Sequence, residues 1–175
     1  VGFRPFVYNL ACRLGLSGEV ANGARGVEIL AQGPVTVLDH FESLLLSEQP
    51  AMAFIDQFHS EDTFLAKIPG FSIVSSRTGE LDLGVTPDAA VCDDCLSDMF
   101  DPENRRFLYP FINCTNCGPR YSLIKALPYD RGNTTMAEFC LCHGCEGEYQ
   151  DPADRRFHAQ PVACETCGPH LRFES

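Results

Sequence analysis

The sequence predicts an α+β protein in two parts: a truncated α/β sandwich, then a small domain built from a duplicated cysteine module. Three observations carry this. In the first half, apolar residues recur at helical spacing in two segments and fall in strand-like runs between and after them. Nine of the ten cysteines lie between Cys92 and Cys167, and only Cys12 precedes them. The second half repeats itself with an offset of 50 residues.

Phe3, Val7, Leu10, Ala11 and Leu14 share one helical face, which predicts a helix from Arg4 to Leu14. Pro5 falls in its first turn, where a missing N–H costs nothing, and Gly15 is a stop. Cys12, on this helix, is expected to be a small buried apolar residue. Gly18 to Ala21 and Val27 to Ala31 read as two strands of a hairpin whose loop contains Asn22-Gly23. A second helix presents Val37, Leu38, Phe41, Leu44 and Leu45 on one face and ends at Gln49-Pro50. Alternation at Met52, Phe54 and Phe58, and again at Phe71, Ile73 and Ser75, predicts two more strands. The order is α-β-β-α-β-β. One strand ahead of Val1 would complete β-α-β-β-α-β, two helices on one antiparallel sheet. This first domain is expected over residues 1–76, a linker over 77–90 and the cysteine-rich domain over 91–175.

In the repeat, Cys92-Asp-Asp-Cys95 recurs as Cys142-His-Gly-Cys145, and Asp101-Pro102 as Asp151-Pro152. Arg105-Arg106-Phe107 recurs as Arg155-Arg156-Phe157. Cys114-Thr-Asn-Cys117-Gly118-Pro119 recurs as Cys164-Glu-Thr-Cys167-Gly168-Pro169. Each module, 92–117 and 142–167, reads C-x2-C-x18-C-x2-C. Two thiolates three positions apart grip one metal from a single turn, and two such turns complete a tetrahedron, so the pattern predicts two structural Zn²⁺ ions. The ligands are Cys92, Cys95, Cys114 and Cys117, then Cys142, Cys145, Cys164 and Cys167, with sequential pairing favoured over interleaving by the short loops. Gly118 and Gly168 are expected at positive φ, aiming backbone N–H groups at sulfur. Cys140 is a bystander, and His143 and His158 find no vacancy. The arginine pairs read as surface residues paired with Glu103, Asp151 or Asp154.

With 13 Lys+Arg against 24 Asp+Glu, the net charge is −11. Eight thiolates add eight negative charges and two Zn²⁺ return four, taking −11 to −15. That excludes nucleic acid as a natural partner, since affinity for it draws on Lys and Arg at phosphates. No apolar stretch approaches the length that crosses a bilayer, so no membrane role is expected.

Val1-Gly2-Phe3-Arg4-Pro5 runs straight into the first helix. Glycine lets the backbone turn closely, a helix start offers unpaired N–H groups, and an Arg fork beside them can hold a phosphate or carboxylate. Asn22 is either a turn residue or an amide that holds a water for attack on a phosphoryl or acyl centre.

The run VGFRPFVYNLACRLGLSGEVANGARGVEI resembles the acylphosphatase family, whose pattern is a glycine-rich turn ending in G-F-R, a helix, G-x-V-x-N and a G-x-V-E strand. The resemblance implies the ferredoxin-like sandwich with its first strand upstream of Val1. It also implies phosphate binding by Val1, Gly2, Phe3 and Arg4, and catalysis by Arg4 with Asn22, which orients the nucleophilic water. Hydrolysis by the piece alone is not implied. With YPFINCTNCGPRYS, PYDR and DRRFHAQPVACETCGP, the whole chain resembles the N-terminal part of the HypF carbamoyltransferases of [NiFe]-hydrogenase maturation. That resemblance implies a cytoplasmic enzyme that hydrolyses carbamoyl phosphate. Downstream domains, absent here, would use ATP and pass the carbamoyl group to the C-terminal cysteine of HypE. The alternative is a zinc-dependent protein-binding module similar to a DnaJ-type chaperone, beside an inert ferredoxin-like domain.

Overall fold

The structure, a computed structural model, describes residues 2–23, 26–50, 52–63, 68–75, 88–127 and 129–174. They belong to two compact units, residues 1–84 and 85–175.

In the first unit, α1 (Phe3–Arg13) is capped by Gly2 in the left-handed conformation (φ 69°), where a side chain would be strained. Pro5 sits among the first helical positions, whose N–H groups lack intrahelical partners. Val7, Leu10 and Ala11, spaced i, i+3 and i+4, are buried. The chain then reverses through Leu14 and Gly15 (φ 68°) into β1 (Ser17–Gly23), which pairs antiparallel with β2 (Gly26–Gln32). β1 also pairs with β3 (Phe71–Ile73), in parallel, so the sheet order is β2-β1-β3. Between β2 and β3, α2 (Val35–Ser47) buries Phe41 and Leu45 and stops before Gln49-Pro50. One apolar core joins these elements: Val7, Leu10, Ala11, Leu16, Val20, Phe41, Leu45 and Phe71. At about 1.5 to 3 kcal/mol for each large side chain buried, it holds α1 and α2 to the sheet.

Several expectations need correction. Asn22 and Gly23 belong to β1 itself, Asn22 opposite Val27, and the connection falls at residues 24–25, outside the described set. The stretch around Met52, Phe54 and Phe58 is not a strand. Met52 lies in a turn in which Ala53 N–H donates to Pro50 C=O, and Phe54 is 88% exposed. Alternation makes a strand only where a neighbouring edge accepts its backbone groups, and among the described residues none of β1, β2 and β3 pairs with this stretch. β3 ends at Ile73, short of Ser75. Cys12 is exposed, because the buried stripe of α1 passes through Leu10 and Ala11.

The second unit contains two eight-residue helices, α3 (Asp93–Phe100) and α4 (His143–Gln150), each beginning just after the first cysteine of its module. Their flanking backbone is nearly superposable: Cys92 and Cys142 have φ/ψ of −74°/160° and −73°/162°, and Asp101 and Asp151 have −84°/112° and −83°/112°. Leu108 and His158, the same position in each repeat, both adopt φ 54°. The Asp101-Pro102 and Asp151-Pro152 turns close alike, with the Asp carboxylates accepting from Glu103 N–H and Ala153 N–H. Cys95, Tyr109, Ile112, Cys114, Cys117, Met136 and Ala163 form its core. Among the described residues, no helix is long and apolar enough to cross a membrane.

Candidate functional site

The eight module cysteines gather into two groups, Cys92/Cys95/Cys114/Cys117 and Cys142/Cys145/Cys164/Cys167, the sequential arrangement. Within each group the sulfurs lie within 4.8 Å of one another. In the first, Cys92–Cys114 is 3.6 Å, and Cys114–Cys117 and Cys95–Cys117 are 4.0 Å. In the second, Cys142–Cys164 is 3.7 Å, Cys164–Cys167 3.9 Å and Cys145–Cys167 3.6 Å. A disulfide would hold two sulfurs near 2.0 Å, whereas four Zn–S bonds of about 2.3 Å in a tetrahedron set sulfurs about 3.8 Å apart. All ten cysteines are free. The donor set and its spacing therefore fit a tetrahedral Zn²⁺ in each group, and neither Cys140 nor any histidine belongs to either.

The crowded sulfurs hold their protons unevenly. Hydrogen bonds to Cys114 and Cys117, together with burial, hold the Cys95 thiol well up, with Arg155 pulling the other way. Hydrogen bonds from Cys114 and Cys95 draw Cys117 far down against its burial, helped by Arg120. Burial raises Cys142, but the Cys145 backbone N–H and the neighbouring sulfurs outweigh it and bring it down to about 6.

Sequence reasoning missed what the arginine pairs do. They do not pair with Glu103, Asp151 or Asp154; each pair crosses to the other module. Arg105 and Arg106, from the first loop, donate to Cys145 Sγ, Arg106 over 3.4 Å, and to the Glu148 carboxylate. Arg155 donates to Cys95 Sγ over 3.0 Å and to Asp98, and Arg156 also donates to Asp98. Asp98 and Glu148 stand three residues after Cys95 and Cys145, one helical turn on, so carboxylate and thiolate face the same guanidinium group. Asn104 and Asp154 instead accept from the backbone N–H of Arg106 and Arg156, shaping the turns that aim the pairs. The signal was present in the sequence, since D/E at Cys+3 recurs with the repeat.

The two glycines differ. Gly118 has φ 74°, as expected, while Gly168 does not take a positive φ. A Cβ at Gly168 would sit 2.0 Å from Tyr109 Oη and 2.7 Å from Ala163 Cβ, so close packing rather than conformation requires glycine there.

In the first unit, Arg4 occupies the opening turn of α1 and Asn22 the far end of β1; both are half-buried. α1 and β1 pack into one core across a tight turn, in which Leu16 N–H donates to Ala11 C=O. Ten helical residues at about 1.5 Å bring Arg4 about 15 Å back from Leu14, and six strand residues at about 3.3 Å carry Asn22 about 20 Å out from Leu16. Arg4 and Asn22 thus lie at the ends of α1 and β1 remote from the connecting turn. Val1 lies outside the described residues.

The family described as Acylphosphatase matches residues 1–73, and the family described as HypF finger matches residues 91–124 and 141–174. Carbamoyltransferase HypF of Synechocystis sp. is 48% identical over 139 residues, which is 79% of this chain and 18% of that protein. The probable carbamoyltransferase HypF of Methanocaldococcus jannaschii is 45% identical over 136 residues, 76% of this chain and 18% of that protein. A crystal structure of full-length HypF in its phosphate- and nucleotide-bound form superposes with a TM-score of 0.92 at 46% identity, covering 97% of this chain and 23% of that one. T. kodakarensis HypF gives 0.83 at 46% identity, covering 96% of this chain and 21% of that one. The chain thus spans about a fifth of the length of the proteins it matches. With an acylphosphatase domain leading into two fingers of this type, the chain belongs to the HypF family.

Proposed function

We propose that this chain supplies the carbamoyl-phosphate hydrolysis site and a zinc-braced finger pair of a carbamoyltransferase. The enzyme passes the carbamoyl group to the C-terminal cysteine of a HypE-like protein, toward the cyanide ligands of [NiFe] hydrogenase. The observation that supports the reading is the acylphosphatase match over residues 1–73, within which a glycine-capped helix start carries Arg4 and β1 carries Asn22.

The substrate phosphoryl group sits on the N–H groups of Gly2, Phe3 and the first turn of α1. The Arg4 guanidinium forks onto its equatorial oxygens. Asn22 holds the water that attacks phosphorus in line, the acyl C–O–P bridge breaks on the phosphorus side, and carbamate and inorganic phosphate leave. Fixed donors that meet charge growing on the phosphoryl oxygens provide most of the acceleration, with positioning of the water providing the rest. ATP belongs to the later activation of carbamate, elsewhere in the full-length protein. The eight cysteines hold two structural Zn²⁺, which fold the fingers and take no part in hydrolysis. The bound phosphate and nucleotide named for the full-length HypF structure are in keeping with this division of labour.

The test is phosphate release from carbamoyl phosphate by the full-length gene product without ATP. ATP-independent release is expected, and none at all would remove the hydrolytic reading.

A further inference from the structure

We infer that the two four-cysteine sites load zinc as one cooperative unit, because the arginines that cap each site's thiolates ride on the loop that the other site's metal folds. The inference rests on the reading that these sites hold zinc.

Arg105 and Arg106 lie between Cys95 and Cys114, in the loop closed when the first site takes its metal, yet their guanidinium groups sit at Cys145 and Glu148. Arg155 and Arg156 lie between Cys145 and Cys164, and theirs sit at Cys95 and Asp98. The backbone is exchanged as well. Arg106 Nε donates to Ala163 C=O over 2.9 Å, Thr115 N–H and Oγ1 donate to Arg155 C=O over 3.0 and 2.9 Å, and Asn113 Nδ2 donates to Pro161 C=O over 3.1 Å. Ala163, Thr115 and Asn113 each adjoin a ligand in sequence, so folding one loop positions a ligand-bearing turn of the other.

Four thiolates around one Zn²⁺ leave a net charge of −2, and burying it requires compensating cations. Arg106 and Arg156 are 1% and 5% exposed, so this compensation operates out of bulk water, where charge-assisted hydrogen bonds are strong. Emptying one site frees its loop, withdraws two guanidinium groups from the other site and strands the carboxylate there. Linkage then makes the effect reciprocal. Among the described residues, only Arg120 bonds a sulfur of its own module, its Nη2 3.5 Å from Cys117 Sγ.

The test is native mass spectrometry of the whole chain given one equivalent of Zn²⁺. Metal-free and two-zinc species are expected to dominate, with the one-zinc species far below the roughly one half that equal, uncoupled sites produce. A one-zinc species at or above one half overturns the inference. The variant carrying Arg105→Gln and Arg106→Gln is expected to raise the one-zinc species. In a second measurement, Cys114→Ser with Cys117→Ser disables the first site, and competition with a chromophoric chelator reads zinc at the second. A loss of about tenfold or more in affinity is expected, and an unchanged affinity overturns the coupling. Binding of no zinc at all would sink the zinc reading and this inference together, whereas two zinc ions bound independently would sink the inference alone.

Discussion

Arg106 Nη1 lies 2.9 Å from Glu148 Oε1, 42 residues along the chain and in the opposite cysteine module. Burial works against the charged guanidinium, but the Glu148 carboxylate more than offsets it and holds Arg106 firmly protonated. The pair ties two short modules, neither with much apolar mass of its own, into one unit.

Removing one partner of such a pair strands the other charge in a poorly hydrated site. Arg106→Ala is therefore expected to lower the stability of the zinc-loaded second unit by about 3 to 5 kcal/mol. Arg105→Ala should cost much less, because its side chain is 35% exposed and solvent screens it. Arg156→Ala should fall between, since among the described residues its Nε has no partner whereas Arg106 Nε holds the Ala163 carbonyl. Denaturant titrations of the three variants read the order directly.

Chelation should unfold the second unit and spare the first. The first unit's buried core is aliphatic and aromatic, with no cysteine in it, while three of the seven residues in the core of the second are metal-site cysteines. Zinc supplies roughly 10 to 16 kcal/mol in small finger peptides, comparable with the whole stability of a domain. Hydrogen exchange with EDTA present should show protection surviving in α1, β1 and α2 and lost across residues 92–167. Joint collapse would contradict this.

Glycine substitutions should separate by surroundings. Gly168→Ala drives a methyl group into Tyr109 and Ala163 and is expected to cost about 1 to 3 kcal/mol by overpacking. Gly147→Ala, inside α4 with open space around it, should be neutral or stabilising by about 0.5 to 1 kcal/mol. Thermal melts of the zinc-loaded protein compare them, and equal melting temperatures would show that the Tyr109 contact carries no weight.

What the sequence made legible was whatever depends on local spacing. Val7, Leu10 and Ala11 gave α1, Phe41 and Leu45 gave α2, and the CxxC pairs gave both sulfur groups with their sequential pairing. What it hid depends on which surfaces meet. Phe54 and Phe58 alternate as a strand does, but no strand edge receives them among the described residues. Cys12 is a one-residue error of helix phase, just past the buried Leu10–Ala11 stripe. Arg155 has Asp151 and Asp154 as near neighbours in sequence but bonds to Asp98, 57 residues away. A repeat in sequence discloses two modules without disclosing that they exchange side chains.

The most direct measurement is the turnover of carbamoyl phosphate by the full-length gene product carrying Arg4→Ala, with Asn22→Ala in parallel and zinc content measured on the same samples. Losing a donor that meets developing phosphoryl charge costs about 2.7 to 4 kcal/mol, so phosphate release should fall about 100- to 1,000-fold with zinc retained. Release at the unsubstituted rate in the Arg4→Ala protein would contradict the assignment of this helix start as the phosphate site.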